Sequence, residues 1–406
     1  MIFSKIKICV KYTQIKRKLY FCVSFTQTKK HLFYSLKTNT IMEATTQKNR
    51  TRIYNLVILD ESGSMESIKH AAISGFNETV GGIRAAQEKF VDTQEHFVSL
   101  LTFCECKKKM LYDKVPVADV KPLTDKEYRP CCCTPLFDAM GMALTKLSAE
   151  IKEMEDATAV VTVITDGLEN ASKEYDGHAV KELVRRLSEE EGWTFAYIGT
   201  NQNVQEVSAS ISISNYMYFE DNEEDMKRAW NRERNAKMRH FDELHNMVMA
   251  CPDMTASERK SERIQHIRTR AFFMENNELA DRITPERVDS LKQNEVFVFG
   301  SSAAGSHSGG AAAAAVKRFG AVVGQGEGLQ GQSYAIPTTG CSRQETAQAV
   351  ERFITFAKEH PEKTFLVTRI GCGKGGHSVQ EMAEMFIYAG RQTNIHLPAD
   401  FWEYIM

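Results

Sequence analysis

An excess of charge of either sign is missing from this chain. Its 406 residues carry 51 Lys and Arg against 53 Asp and Glu, a formal net charge of −2. No global field therefore argues for nucleic acid or an anionic surface as partner. Long apolar runs are missing too. None reaches the roughly 20 residues that span a bilayer, so no membrane is expected. The ten cysteines include no C-x-x-C pair and are too few to scaffold a chain of this length. No signal-peptide core precedes them, so reduced thiols in a cytoplasmic protein are the expectation. Acidic residues are absent from positions 1–41, which hold nine Lys or Arg. This stretch reads either as a basic arm or as a start taken too early, with Met42 the true first residue. The second reading is preferred. No internal repeat is visible.

What is present reads as a globular protein of two or three domains, 42% hydrophobic and 26% charged. After a basic extension over 1–50, the stretch 51–220 alternates buried-strand runs with amphipathic helices. "IYNLVILD", "HFVSLLTFC", "AVVTVITD" and "WTFAYIGT" are the strands. Such alternation predicts an α/β fold with a doubly wound parallel sheet. Residues 221–292 are charged and helix-prone with few apolar faces, which predicts a solvated helical linker or cap. Over 293–406 the α/β rhythm returns, predicting a second, smaller α/β domain.

The run "LVILDESGSM" (56–65) ends a strand in Asp60, Glu61, Ser62 and Ser64. "VTVITDG" ends another in Asp166. Open α/β sheets bind ligands at the carboxyl ends of their strands. A set of oxygen-only donors there suits Mg²⁺, or Mn²⁺, rather than Zn²⁺. The bland alternative is that Asp60, Ser62 and Ser64 merely cap the next helix.

Asp60-x-Ser62-x-Ser64, Thr134 in "CCCTPLFDAM" and Asp166 in "TDG" resemble the von Willebrand factor A domain and its metal-ion-dependent adhesion site (MIDAS). "SGFNETV" resembles its soluble bacterial and phage members. The resemblance implies that Ser62, Ser64 and Thr134 touch the metal while Asp60 and Asp166 act largely through water. It implies a carboxylate from a partner protein at the remaining position. Where that family often has Gly before the Thr, this chain has Cys131, Cys132 and Cys133. Cys104 and Cys106 end another strand. Packing of small buried thiols is the expected role, with a zinc or redox site the alternative.

Two strand-to-helix loops in the last domain are rich in Gly and Ser. They are "FVFGSSAAGSHSGGAAAAAVKRFG" and "RIGCGKGGHS". Small residues let backbone N–H groups approach an anion at a helix start, although tight turns and close packing explain single glycines equally well. The pair resembles macro domains, which bind ADP-ribose, and a macro-like family of bacteria and phages. The resemblance implies ligand contacts at Gly300, Ser301, Gly305, Gly309, Gly310 and Ala311, and at Gly371, Cys372, Gly373, Lys374, Gly375, Gly376 and His377. The carboxylate and Asn expected of many hydrolytic members are missing. Binding of ADP-ribose or a related nucleotide without turnover is therefore favoured over ADP-ribosyl hydrolysis, and no catalytic residue is assigned. The leading expectation joins a Mg²⁺-dependent protein-interaction module to a nucleotide-binding one. A purely scaffolding protein is the third reading.

Overall fold

Strand β1 (Thr51–Asp60) is buried at every position but Arg52. The cause is its place between two parallel neighbours, β2 (Gln94–Cys104) and β4 (Ala157–Thr165). Alternate residues of a strand face opposite sides. Ile53, Val57 and Leu59 accordingly pack on one face with Phe76, Val80 and Ile83 of α1 (Lys69–Lys89). Tyr54, Leu56 and Ile58 pack on the other with α2 (Leu136–Ile151) and α3 (Gly177–Glu189). With β3 (Lys107–Pro116), β5 (Thr194–Thr200) and β6 (Tyr216–Phe219) the sheet runs β3-β2-β1-β4-β5-β6. All neighbours are parallel except the antiparallel β2–β3 hairpin. This order reverses direction between β1 and β4, where a doubly wound sheet opens a crevice. The structure, a computed structural model, describes residues 50–200, 204–273, 282–390 and 392–406. The basic stretch before Arg50, with its preferred start at Met42, lies outside the described residues.

A short helix, α4 (Val204–Ser210), leads to β6. The long helix α5 (Glu223–Ala250) then corrects the expectation of solvated helices over 221–292. It buries Met226, Trp230, Phe241 and Leu244 in the same core as α1. Gly75 makes room for this: a Cβ there would sit 2.1 Å from Trp230 Cγ. The helix also buries charge, with Glu233, Lys237 and Arg239 all 3% exposed or less. Helix α6 (Ala256–Thr269) starts at a capping box in which Thr255 and Glu258 satisfy each other's backbone N–H groups. It buries Arg259 and Arg263 against Asp156.

The second sheet contains β7 (Glu295–Ser302), β8 (Gly328–Gln330), β9 (Ser333–Thr339), β10 (Thr364–Val367) and β11 (Ile395–His396), in the order β11-β10-β7-β9-β8. Only β8 is antiparallel to its neighbour. Helices α8 (Arg343–Glu359), α9 (Val379–Met385) and α10 (Ala399–Ile405) cover one face. Helix α7 (Gly310–Arg318) covers the other. The fold is thus mixed α/β with parallel-dominated sheets. Helix α5 touches both sheets' layers: Arg239 donates to the carbonyl of Ile405 at 2.6 Å, and Lys358 of α8 meets Asp242 at 3.1 Å. No helix among the described residues is long and apolar enough to cross a membrane.

Candidate functional site

The crevice between β1 and β4 gathers Asp60, Ser62, Ser64, Thr134 and Asp166. Asp60 is the last residue of β1 and is fully buried. Its Oδ1 accepts the Ser62 N–H at 2.7 Å and its Oδ2 accepts the Thr165 hydroxyl at 2.6 Å. The Ser62 and Ser64 hydroxyls lie 3.2 Å apart, and Ser64 donates to Asp166 Oδ1 at 2.7 Å. Thr134 is buried on the loop before α2. A Cβ at Gly167 would stand 3.0 Å from the Thr134 hydroxyl and 3.9 Å from Asp60 Oδ2, so the Thr134 and Asp60 oxygens both border the backbone next to Asp166. Ser62 makes no side-chain cap bond to the short helix after it, so the capping role does not account for its hydroxyl.

Electrostatics mark the cluster as short of positive charge. Burial pushes the Asp60 carboxyl up to about 6, against the lowering pull of Thr165 and Ser62. Burial also raises Asp166, and the nearby Asp221 raises it further. The buried Asp166 Oδ2 has no hydrogen-bond partner. An orphaned carboxylate oxygen beside a second desolvated carboxylate is costly unless a cation joins it. The donors are hard oxygens only, the class that fits Mg²⁺ or Mn²⁺.

Glu61, which the sequence places among the same oxygens, points elsewhere. It is fully buried and its Oε1 pairs with Lys107 at 2.7 Å. Several supporting residues had no sequence signal. Asn170 accepts the Thr134 N–H at 2.9 Å and returns its own N–H to the Thr134 carbonyl at 3.2 Å, which pins the loop. Asp138, in the first turn of α2, accepts N–H groups of Lys173, Glu174 and Tyr175 and an ion pair from Lys108. Those backbone bonds offset its burial and hold its carboxyl down at about 2. Tyr128 donates to the Asp60 carbonyl at 2.5 Å.

Beside this site the cysteines meet. The structure joins Cys106 and Cys132 in a disulfide, where free thiols were expected. The tip of the β2–β3 hairpin and the Cys131–Cys133 loop bring their Cα atoms to 6.6 Å, within disulfide reach. Cys104 and Cys131 approach to 3.2 Å between sulfurs.

The glycine loops also come together, after β7 and β10, where the second sheet reverses order. A Cβ on Gly300 would lie 3.4 Å from the Gly371 nitrogen, and one on Gly309 would lie 3.4 Å from Lys374 Nζ. Packing explains part of the composition. Gly305 abuts the backbone of Gly324 and Gln325, Gly371 abuts Met382, and Gly375 abuts the Gly371 carbonyl. Gly310, Gly373 and Gly376 instead face open space. Ser301 and His307 are buried and bond each other at 3.0 Å. His377 bonds Thr346 at 3.3 Å. Burial raises the Cys372 thiol, which disfavours a nucleophilic thiolate. A cleft of about 990 Å³ opens at the start of α7, lined by Gly310, Ala311, Thr368, Arg369, Pro398 and Asp400 among others. Of the expected ligand contacts only Gly310 and Ala311 line it; Gly300, Ser301, Gly305, Gly309 and the loop from Gly371 to His377 do not.

No known family matches the chain, and no curated protein does. Among solved structures, the pilus adhesin SpaC from Lactobacillus rhamnosus GG is similar at 12% identity and a TM-score of 0.36, over 48% of this chain and 31% of that one. Proximal thread matrix protein 1 from the mussel byssus, with a zinc-occupied MIDAS motif, is similar at 14% identity and a TM-score of 0.31, over 45% of both chains. The SpRpn10 VWA domain is similar at 11% identity and a TM-score of 0.30, over 44% of this chain and 93% of that one. The chain thus spans about a third of the adhesin and under half of the byssus protein. These neighbours are von Willebrand A domains matching somewhat under half of the chain. At such scores the likeness adds nothing to the strand order and side-chain geometry above.

Proposed function

We propose that residues 51–220 form a metal-dependent protein-interaction module. Ser62, Ser64, Thr134, Asp60 and Asp166 are the residues that would hold a divalent cation there, Mg²⁺ or Mn²⁺ by their oxygen-only chemistry. The ion supplies a Lewis-acidic position for a carboxylate of a partner protein. The chain's own residues do the rest: Thr165 and the Ser62 N–H orient Asp60, and Asn170 fixes the Thr134 loop. The observation that carries this reading is the buried, unpartnered Asp166 Oδ2 beside two serine hydroxyls and the desolvated Asp60.

Stability measures it. A ligand that binds only the native state adds about 2.7 kcal/mol at a hundred times its dissociation constant. Mg²⁺ is expected to raise the melting temperature of the parent and to leave Asp60→Ala unmoved. An equal shift in both proteins sinks the assignment.

A second reading concerns residues 293–406. Gly310, Gly373 and Gly376 face open space, and Lys374 reaches across to Gly309, at the point where the second sheet reverses order. This supports binding of ADP-ribose or a related nucleotide, with its diphosphate held mainly by backbone N–H groups. The start of α7 adds a favourable dipole. Gly310→Glu puts negative charge there and is expected to weaken ADP-ribose binding at least ~100-fold, about 2.7 kcal/mol. Gly310 has φ 55°, so its substitution also strains the backbone. Ala311→Glu brings the same charge inside the helix and checks that the loss is electrostatic. Calorimetry on the full chain decides. Parental affinity in both folded variants moves the pocket elsewhere, and no binding by the parent leaves the scaffolding reading for this half.

A further inference from the structure

Four cysteine sulfurs converge one loop away from the oxygen site. Cys104 ends β2 and Cys106 lies in the turn of the β2–β3 hairpin, and Cys131 and Cys132 precede Thr134. The Sγ atoms of Cys104, Cys131 and Cys132 all lie within 4.8 Å of one another, and Cys106 Sγ is joined to that of Cys132. The unbonded Cys104 and Cys131 sulfurs stand only 3.2 Å apart. Four thiolates around a zinc ion at bonds of about 2.3 Å lie about 3.8 Å from each other in a tetrahedron. Cys104, Cys131 and Cys132 already stand near those spacings, and Cys106 turns in as the fourth ligand once its disulfide opens. The four ligands come from two separate segments, so one ion at this point ties the hairpin to the loop.

We propose that Cys104, Cys106, Cys131 and Cys132, when reduced, form a tetrathiolate site for Zn²⁺ that anchors the Thr134 loop. A thiol reductant opens the Cys106–Cys132 bond by exchange and is itself oxidised to a disulfide. The four thiols then release their protons as the ion binds. The backbone shows what the anchor holds. Cys131 donates its N–H to the Glu61 carbonyl at 2.8 Å, Gly63 donates to the Cys132 carbonyl at 3.0 Å, and Glu105 donates to the Cys133 carbonyl at 2.9 Å. The cluster therefore fastens the hairpin turn, the Asp60–Ser64 loop and the Thr134 loop to one another. Cys132 also sits at φ 60°, a left-handed conformation rare for a residue with a side chain.

The test uses the full chain carrying Asp60→Ala, which removes the oxygen site, purified with a thiol reductant and no chelator. Metal analysis is expected to find one zinc per chain. Exchange for Co²⁺ is expected to give the intense tetrahedral d–d bands and thiolate-to-cobalt charge transfer that oxygen ligands do not produce. Cys104→Ser and Cys131→Ser are each expected to lose the bound zinc. The cobalt spectrum reads the thiolates without any cysteine variant, so a variant that fails to fold leaves the test intact. A reduced chain that holds no zinc, a Co²⁺ spectrum without charge transfer, or a folded Cys131→Ser that keeps its zinc overturns the proposal. Because Asp60 is already replaced, none of these outcomes bears on the Mg²⁺ site.

Discussion

Replacing Glu233 with alanine is expected to remove about 3–5 kcal/mol of folding stability, a large part of what a domain of this size has. Glu233 lies on α5 with none of its surface exposed. It forms an ion pair with Lys237 one turn on, which is equally buried. Its Oε1 accepts the Thr162 hydroxyl of β4 at 2.6 Å and its Oε2 accepts the Thr79 hydroxyl of α1 at 3.3 Å. Truncation leaves an ammonium and two hydroxyls in the core without a counter-group, and a buried charge without a partner is far costlier than an absent pair. The double change Glu233→Leu with Lys237→Met is therefore expected to recover most of the loss. Urea denaturation measures both. A single variant within about 1 kcal/mol of the parent shows that water reaches Lys237 and that the helix is less buried than it stands here.

Why that helix reads as a linker in sequence has a physical answer. "MKRAWNRERNAKMRH" counts as polar by composition, and a charged run is usually a solvated face. Burial of charge depends on partners far away in the chain, here Thr79 and Thr162, and no local pattern reports them. The central strands were legible for the opposite reason. A parallel strand buried on both faces reads as a mostly apolar run, and β1 and β4 carry such runs in Leu56–Leu59 and Ala159–Ile164, broken only by Thr162. The metal-site candidates were legible because strand ends expose their next few side chains at one sheet edge, so Asp60 and Asp166 meet once the order β1-β4 is known. Glu61, which is not among the expected ligands, turns to Lys107 because one residue along an extended chain reverses the side it faces. Asn170 was invisible because it acts through backbone groups of the Thr134 loop. In the second half the pairing of the glycine loops was legible. Which glycines serve packing and which face open space depends on neighbours such as Met382 and Gln325 that only the fold brings near.

The same concealed electrostatics carry the other large effect. Asp156→Ala is expected to cost about 3–5 kcal/mol as well, because the carboxylate is shared by two buried cations. Arg259 Nε lies 2.7 Å from Oδ2 and Arg263 Nη1 lies 2.6 Å from Oδ1, with all three side chains at most 4% exposed. Thr51 adds a hydroxyl at 2.9 Å. Removing Asp156 leaves two guanidinium groups facing each other in the interior, so α6 is expected to detach or admit water. Asp156→Asn keeps the shape and the Thr51 bond but not the charge, and is expected to fall between parent and Ala. Asp156 precedes β4 at its amino end, whereas the oxygen cluster lies beyond its carboxyl end. Nine residues at roughly 3.3 Å each separate them by about 30 Å, well past the screening length of physiological salt. The loss is thus expected in urea midpoints alone. Mg²⁺ affinity, measured where the variant is still folded, is expected to stay within about twofold of the parent, a change of less than 0.5 kcal/mol. A matching collapse of Mg²⁺ binding in folded Asp156→Ala shows instead that β4 transmits strain from the clamp to Asp166, and that the two ends of the strand are one mechanical unit.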